Sequence, residues 1–299
     1  MKRFSVLRAR IQTVWTLLTN AYAAGFARGA IFQGASKGLC VPGLNCYSCP
    51  AALFSCPVGA FQASLAGTEA KIPFYVLGLL FAFGSVLGRF VCGWLCPFGL
   101  LQDLLHKIPF PVKMKRLPHD RRLRRAKYAV LVVCVVLLPL LTRDGISGTP
   151  FFCKYVCPSG TVFGGWPLSV ADSGIRSALG ALFAWKSALA LALLCASAAI
   201  FRPFCKYLCP LGAFYALFNG TAVLRLRFDA GRCTHCGKCA SLCPMDVELP
   251  ARPNSAECVR CMECVSACPT GALSARPTIA PHAAKEAEKW TSHSCPKAD

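Results

Sequence analysis

Two stretches near the C-terminus carry one cysteine spacing, and no other feature of the chain restricts its fold as much. Residues 233–244 read Cys-x2-Cys-x2-Cys-x3-Cys-Pro, with Cys233, Cys236, Cys239 and Cys243. Residues 258–269 repeat the pattern with Cys258, Cys261, Cys264 and Cys268. Zinc would need only pairs, and no histidine stands at ligand spacing within the runs. His235 lies between two of the cysteines and reads as an exposed loop residue. A second pattern recurs upstream. Cys92–Gly99, Cys153–Gly160 and Cys205–Gly212 each read Cys-x-aromatic-aliphatic-Cys-Pro-x-Gly, and the Cys-Pro-x-Gly tail recurs at 56–59 and 268–271.

The first pattern is the bacterial ferredoxin run, and cubane geometry explains it. Three thiolates on one tight loop cap three irons, and the fourth iron must be reached from another segment. In two-cluster ferredoxins the fourth cysteine of each run serves the other cluster. Cys233, Cys236, Cys239 and Cys268 are therefore assigned to one [4Fe–4S] cluster, and Cys258, Cys261, Cys264 and Cys243 to a second. A domain of this size has too small a core to fold alone, so the clusters also act as its staples.

The rest of the chain is apolar. Hydrophobic residues make up 55% and charged residues 15% of 299, against a usual charged share of about 25%. Mean hydropathy is +0.48. Disorder is excluded, and a soluble globular enzyme is disfavoured. Four stretches read as membrane spans: Ile11–Ala27, Ile72–Val91, Tyr128–Thr142 and Ser187–Phe201. Flanking Lys and Arg extend the shorter ones by snorkelling. Asp103–Lys127 holds nine basic residues and two acids, whereas Lys37–Lys71 holds two and one. This bias sets both termini in the cytoplasm. The position of the basic run between two spans accounts for much of the +20 charge without nucleic acid as a partner. A basic head, a short apolar run and Ala21-Tyr22-Ala23 support a second reading of the first span, as a cleavable signal peptide.

This topology sorts the other cysteines. Cys-x3-Cys on a helical turn sets both thiols on one face. Cys92, Cys96, Cys205 and Cys209 fall at the inner ends of the second and fourth spans, and together supply a third [4Fe–4S] cluster at the membrane border. Cys40, Cys46, Cys49, Cys56, Cys153 and Cys157 fall outside. Two readings stay open for these six: a fourth iron–sulfur cluster of undefined ligand set, or up to three disulfides. Cys134 and Cys195 read as packing residues, and Cys295 lies in a polar tail.

No histidine lies in any span, which excludes a bis-His haem there. No dinucleotide or phosphate loop is present, and no acid–base or nucleophile constellation is found, so no catalytic residues are assigned. Any catalysis would be electron transfer, with quinone chemistry as the exception.

The spans, the Cys92/Cys96 and Cys205/Cys209 motifs and the double C-terminal run resemble the NapH/NosR-like membrane polyferredoxins over residues 70–275. That resemblance implies [4Fe–4S] clusters on the twelve cysteines of the three sets. It also implies an integral protein of the cytoplasmic membrane. Such a protein passes electrons between the quinone pool or cytoplasmic donors and an extracytoplasmic reductase, with other redox subunits as partners. The six remaining thiols depart from the members serving nitrate reduction. The large flavin domain of the nitrous-oxide branch has no counterpart in these 299 residues. Thiolates on both faces suggest a conduit. The alternatives are a quinol dehydrogenase subunit and a redox-sensing or assembly factor. The expected fold is mainly α. It comprises a four-helix transmembrane bundle over 1–222, a small α+β 2[4Fe–4S] ferredoxin domain over 223–276, and a polar, disordered tail over 277–299.

Overall fold

The Cys-Pro dipeptides punctuate the chain. Proline lacks an N–H and has φ preset near the helical value, so it favours the first helical position. Helices Pro57–Leu65, Pro97–Lys107 and Pro210–Leu217 each begin on such a proline, with Cys56, Cys96 and Cys209 as the capping residue in extended conformation. A cysteine so placed faces the unpaired N–H groups and positive dipole end of the following helix, which favours a thiolate. Gly212 N donates to Cys209 Sγ at 3.3 Å. The computed structural model describes residues 3–67, 71–111, 113–142 and 148–277. The tail from 278 on, with Cys295, lies outside them.

The described residues are mainly helical with one small sheet. Strands Leu224–Phe228 and Leu273–Pro277 pair antiparallel, Leu224 opposite Pro277 and Phe228 opposite Leu273. They bracket both ferredoxin runs and tie their ends together. Helices Lys238–Ser241 and Glu263–Ala267, one from each run, pack on one another between them.

A four-helix transmembrane bundle is not what the chain forms. Among the described residues one helix, Ala181–Ala199, is long and apolar enough to cross a membrane. At 1.5 Å per residue it reaches about 28 Å, close to a hydrocarbon core of about 30 Å. The other three apolar runs fail for identifiable reasons. Ile72–Val91 holds a helix of 14 residues, Phe74–Leu87, which ends at Gly88 with φ 52°. The chain then turns, and Arg89 enters the protein fully buried. In the third run, apolar helical pieces of 8 and 4 residues, Val130–Leu137 and Leu138–Leu141, continue from the charged helix Asp120–Ala129. Lys127 of that helix is fully buried and ion-paired with Glu257. The first run starts inside Arg3–Thr19, whose Arg8 is buried against Asp103. This helix docks on Pro97–Lys107, Phe90–Trp94 and Glu263–Ala267. Arg8, Arg89 and Lys127, beside these runs, are thus paired inside the protein, where they tie helices to the ferredoxin loops.

One apolar core runs through the molecule. It contains cysteines from both upstream groups, Cys56 and Cys157 as well as Cys92, Cys96, Cys205 and Cys209, together with Cys243 and Cys261 of the ferredoxin runs.

Candidate iron–sulfur sites

Three sets of four thiols converge. In the first, Cys92, Cys96, Cys205 and Cys209 all lie within electrostatic reach of one another. Short helices Phe90–Trp94 and Pro203–Tyr207 carry the first thiol of each pair, and the helix-capping cysteine carries the second. Two fully buried arginines flank the set. Arg89 Nη2 donates to Cys205 O at 3.0 Å, and Arg202 Nη1 donates to Cys92 O at 2.5 Å. Gln102 Nε2 reaches Cys205 Sγ at 3.2 Å. Arg202 is held by Asp103 through both carboxylate oxygens.

In the second set, Cys258, Cys261, Cys264 and Cys243 are likewise mutual neighbours, and all four line one pocket. The fourth cysteine of the first run, Cys243, thus lies with the three of the second. In the companion group, Cys239 lies near Cys233 and Cys236, while Cys268 packs on the same small apolar cluster as Cys239. Burial raises the Cys268 thiol, but hydrogen bonds from Thr270, Leu273 and Ala272 hold it below its ordinary value. His235 is exposed.

The third set comes from the six cysteines of undefined pairing. Cys46, Cys56, Cys153 and Cys157 are mutual neighbours and line a cavity of about 320 Å³. Cys40 and Cys49 do not line it. The thiols of the six are free. Burial pushes Cys56 and Cys157 up to about 12, and Cys205 up to about 11. Thiols so raised stay protonated until a metal displaces the proton, so loading these sites releases protons. Among the described residues no group of three or more His, Cys, Asp or Glu is drawn in tightly enough to hold a single metal ion. Four-thiol sets spread around a volume are the donor chemistry of a cubane.

The sets predicted for opposite faces are neighbours. Fully buried Tyr215 lies within reach of Cys56 and also of Cys92, Cys96 and Cys209, and its hydroxyl donates to Pro42 O at 3.0 Å. The Leu44 backbone donates to Cys96, while Leu44 also lines the Cys46/Cys157 cavity. The ferredoxin loop joins the same assembly. Val259 O lies against Gly93, and Trp94 Nε1 donates to Arg260 O at 2.9 Å. Asn219 Nδ2 donates to Ser255 O and Cys258 O. Sequence reasoning assigned no role to Arg89, Gln102 or Tyr215, and it set Arg202 as a snorkelling flank of the fourth run, whereas Arg202 is fully buried. Arg89 and Arg202, cations at the edges of apolar runs, were the visible signals.

The 4Fe–4S binding domain family matches residues 72–118, 129–168 and 183–229, one repeat around each Cys-x3-Cys-Pro motif, and the 4Fe–4S dicluster domain family matches 225–269. An uncharacterized protein of Methanocaldococcus jannaschii is 30% identical over 67% of this chain and 68% of its own. The methylamine utilization ferredoxin-type protein MauN of Methylobacillus flagellatus is 29% identical over 56% of this chain and 52% of its own. The regulatory protein NosR of Pseudomonas aeruginosa is 26% identical over 54% of this chain and 20% of its own. Across its curated relatives the chain spans from about a fifth to about two thirds of their length. No solved structure matches. With both domain families on the cysteines that converge here, the chain belongs to the NapH/NosR-like family of 4Fe–4S-binding, ferredoxin-type electron-transport proteins.

Proposed function

We propose that the chain carries electrons between the two clusters of its ferredoxin domain and a buried cluster on Cys92, Cys96, Cys205 and Cys209. From there they pass to the quinone pool or to an extracytoplasmic redox subunit. The observation that carries this reading is the seat of the Cys258–Arg260 loop on the Cys92–Cys96 turn, which leaves the two thiol sets as neighbours. A cluster held at each set would supply one-electron transfer, and hydrogen bonds to sulfur and burial would tune its potential. The protein's part is to hold the thiolates, exclude water and set charge. Arg89 lies within reach of Cys258 as well as Cys92, Cys205 and Cys209, so one cation serves both sets. One relative's name refers to methylamine utilization, which supports a partner within a larger redox system.

The location proposed is the cell membrane. Helix Ala181–Ala199 supports it, with Leu182, Trp185 and Leu191 exposed on it. The expected result of alkaline carbonate washing is that the chain stays in the membrane pellet, and release to the supernatant would count against this placement.

The electron-transfer reading is tested by anaerobic iron and sulfide quantification with EPR. Replacing Cys205 by alanine is expected to remove about four irons per chain. The same change at Cys258 is expected to remove a different, separately resolved signal. If quinol or a partner subunit fails to reduce or oxidise any cluster while iron is complete, the proposed role is wrong.

A further inference from the structure

The structure assigns a fourth [4Fe–4S] site to Cys46, Cys56, Cys153 and Cys157, with the Ser159 hydroxyl as a hydrogen-bond donor to the cluster. This rests on the electron-transfer reading above and adds a site to it.

The six candidate thiols separate into a convergent four and an outlying two. Four of them line one cavity, and all six pairings among those four are close enough for each thiolate to disfavour another. Cys49 is near Cys46 alone of the set, and its thiol donates to Phe163 O at 3.3 Å. Cys40 has none of the six as an electrostatic neighbour. The four also have what thiolate ligands need. Backbone N–H groups reach three of them: those of Ser48 and Cys49 reach Cys46, Gly59 and Val58 reach Cys56, and Ser159 and Gly160 reach Cys157. A Cβ at Gly160 would lie 3.0 Å from Cys46 Sγ, so glycine there is what lets the two segments close around the cavity.

The second observation is independent of the thiols. Ser159 is 1% exposed, lines the cavity, and its Oγ has no hydrogen-bond partner. Leaving a buried hydroxyl unpaired is costly, so such a group calls for an acceptor in the space it faces. Bridging sulfide and thiolate sulfur are acceptors. Charge agrees as well. An oxidised cubane with four thiolates carries about −2, and Lys186 lies within electrostatic reach of Cys46, Cys153 and Cys157, with Lys37 near Cys46. Lys186 is held in place by donating to Cys153 O at 3.1 Å.

The test uses the full chain purified without oxygen. Wild type is expected to hold about 16 irons, and Cys46→Ala about 12, with one signal lost and the ferredoxin signals kept. Cys40→Ala and Cys49→Ala should retain all 16 or so. Ser159→Ala should keep its iron and lower the midpoint potential of one cluster only, because a hydrogen bond to sulfur is removed. Three results overturn the assignment: unchanged iron in Cys46→Ala with its partner thiols alkylated only after reduction, loss of iron in Cys49→Ala, or potentials in Ser159→Ala that match wild type throughout. If Cys46→Ala does not accumulate, the Ser159→Ala potentials decide alone. Failure of the wider reading looks different, since quinol or a partner subunit would then neither reduce nor oxidise any cluster, whatever the iron content of Cys46→Ala.

Discussion

Replacing Gly93 by alanine will cut electron flow between the ferredoxin domain and the buried Cys92/Cys96/Cys205/Cys209 set while leaving the iron content near that of wild type. Gly93 is buried between the two cysteines of its motif, and a Cβ there would fall on Val259 O, deep inside van der Waals contact. The obstacle is backbone, so no side chain can swing away. Val259 follows Cys258 directly, and the whole loop must shift. Several bonds resist that shift: Arg260 Nη1 donates to Leu87 O at 2.6 Å and Nη2 to Asn219 O at 2.7 Å. The overpacking costs about 1–3 kcal/mol. Tunnelling slows as the gap between redox centres widens, so a displaced Cys258–Arg260 loop should slow transfer between the two sets severalfold. Rapid-mixing EPR with a reductant reaching only the ferredoxin side measures it. Gly78→Ala is the control, since a Cβ there meets nothing within 4 Å. Equal rates in Gly93→Ala and wild type would show that the contact does not control transfer.

The second large effect belongs to Glu257→Gln. One carboxylate holds two cations that are both 0% exposed: Arg89 at 3.1 Å and Lys127 at 2.6 Å. Removing its charge leaves both buried without a counter-ion, and breaking a buried pair costs about 3–5 kcal/mol. Anaerobic denaturant unfolding of the loaded protein measures the loss. The pH profile adds a second readout. Burial, with Arg89 adding repulsion, already brings Lys127 down to about 8, and Glu257 is what keeps it from falling further. In the variant Lys127 sheds its proton in the fold below pH 8 or so while the unfolded chain still binds it. Stability then rises with pH, and the deficit against wild type narrows as pH climbs toward about 8 and is constant above it. A deficit that is flat from pH 6 to 8 would mean that Lys127 keeps its proton or leaves the interior.

Both predictions concern the junction between domains, which is where sequence reading had least purchase. Arg89 was visible as a cation at the end of an apolar run, but its partner Glu257 lies 168 positions away. Lys127 read as part of a cytoplasmic charge cluster and is instead a buried strut. The same long-range pairing explains why three of the apolar runs were misread as spans. Arg8 docks on Asp103, Arg89 and Lys127 on Glu257, and the helices that carry them lie against the ferredoxin loops. A hydropathy count registers the apolar neighbours of such residues and cannot register a partner brought in by folding.

Ligand chemistry, by contrast, is written locally. A cubane needs three thiolates from one loop or two from one turn, and proline after the last cysteine begins the helix whose N–H groups face the sulfur. Spacing alone therefore paired Cys92 with Cys96 and Cys205 with Cys209, and grouped Cys258, Cys261 and Cys264 with the distant Cys243, sets that the structure brings together. What spacing left open was how six further cysteines divide, because Cys40, Cys46, Cys49 and Cys56 share one loop and the Cys-Pro-x-Gly motif marks only Cys56 among them. The fold alone selected Cys46 and Cys56 to face Cys153 and Cys157, and it placed that set beside the buried one across Tyr215, since which thiols share a cavity depends on packing between segments that lie about a hundred residues apart in the chain.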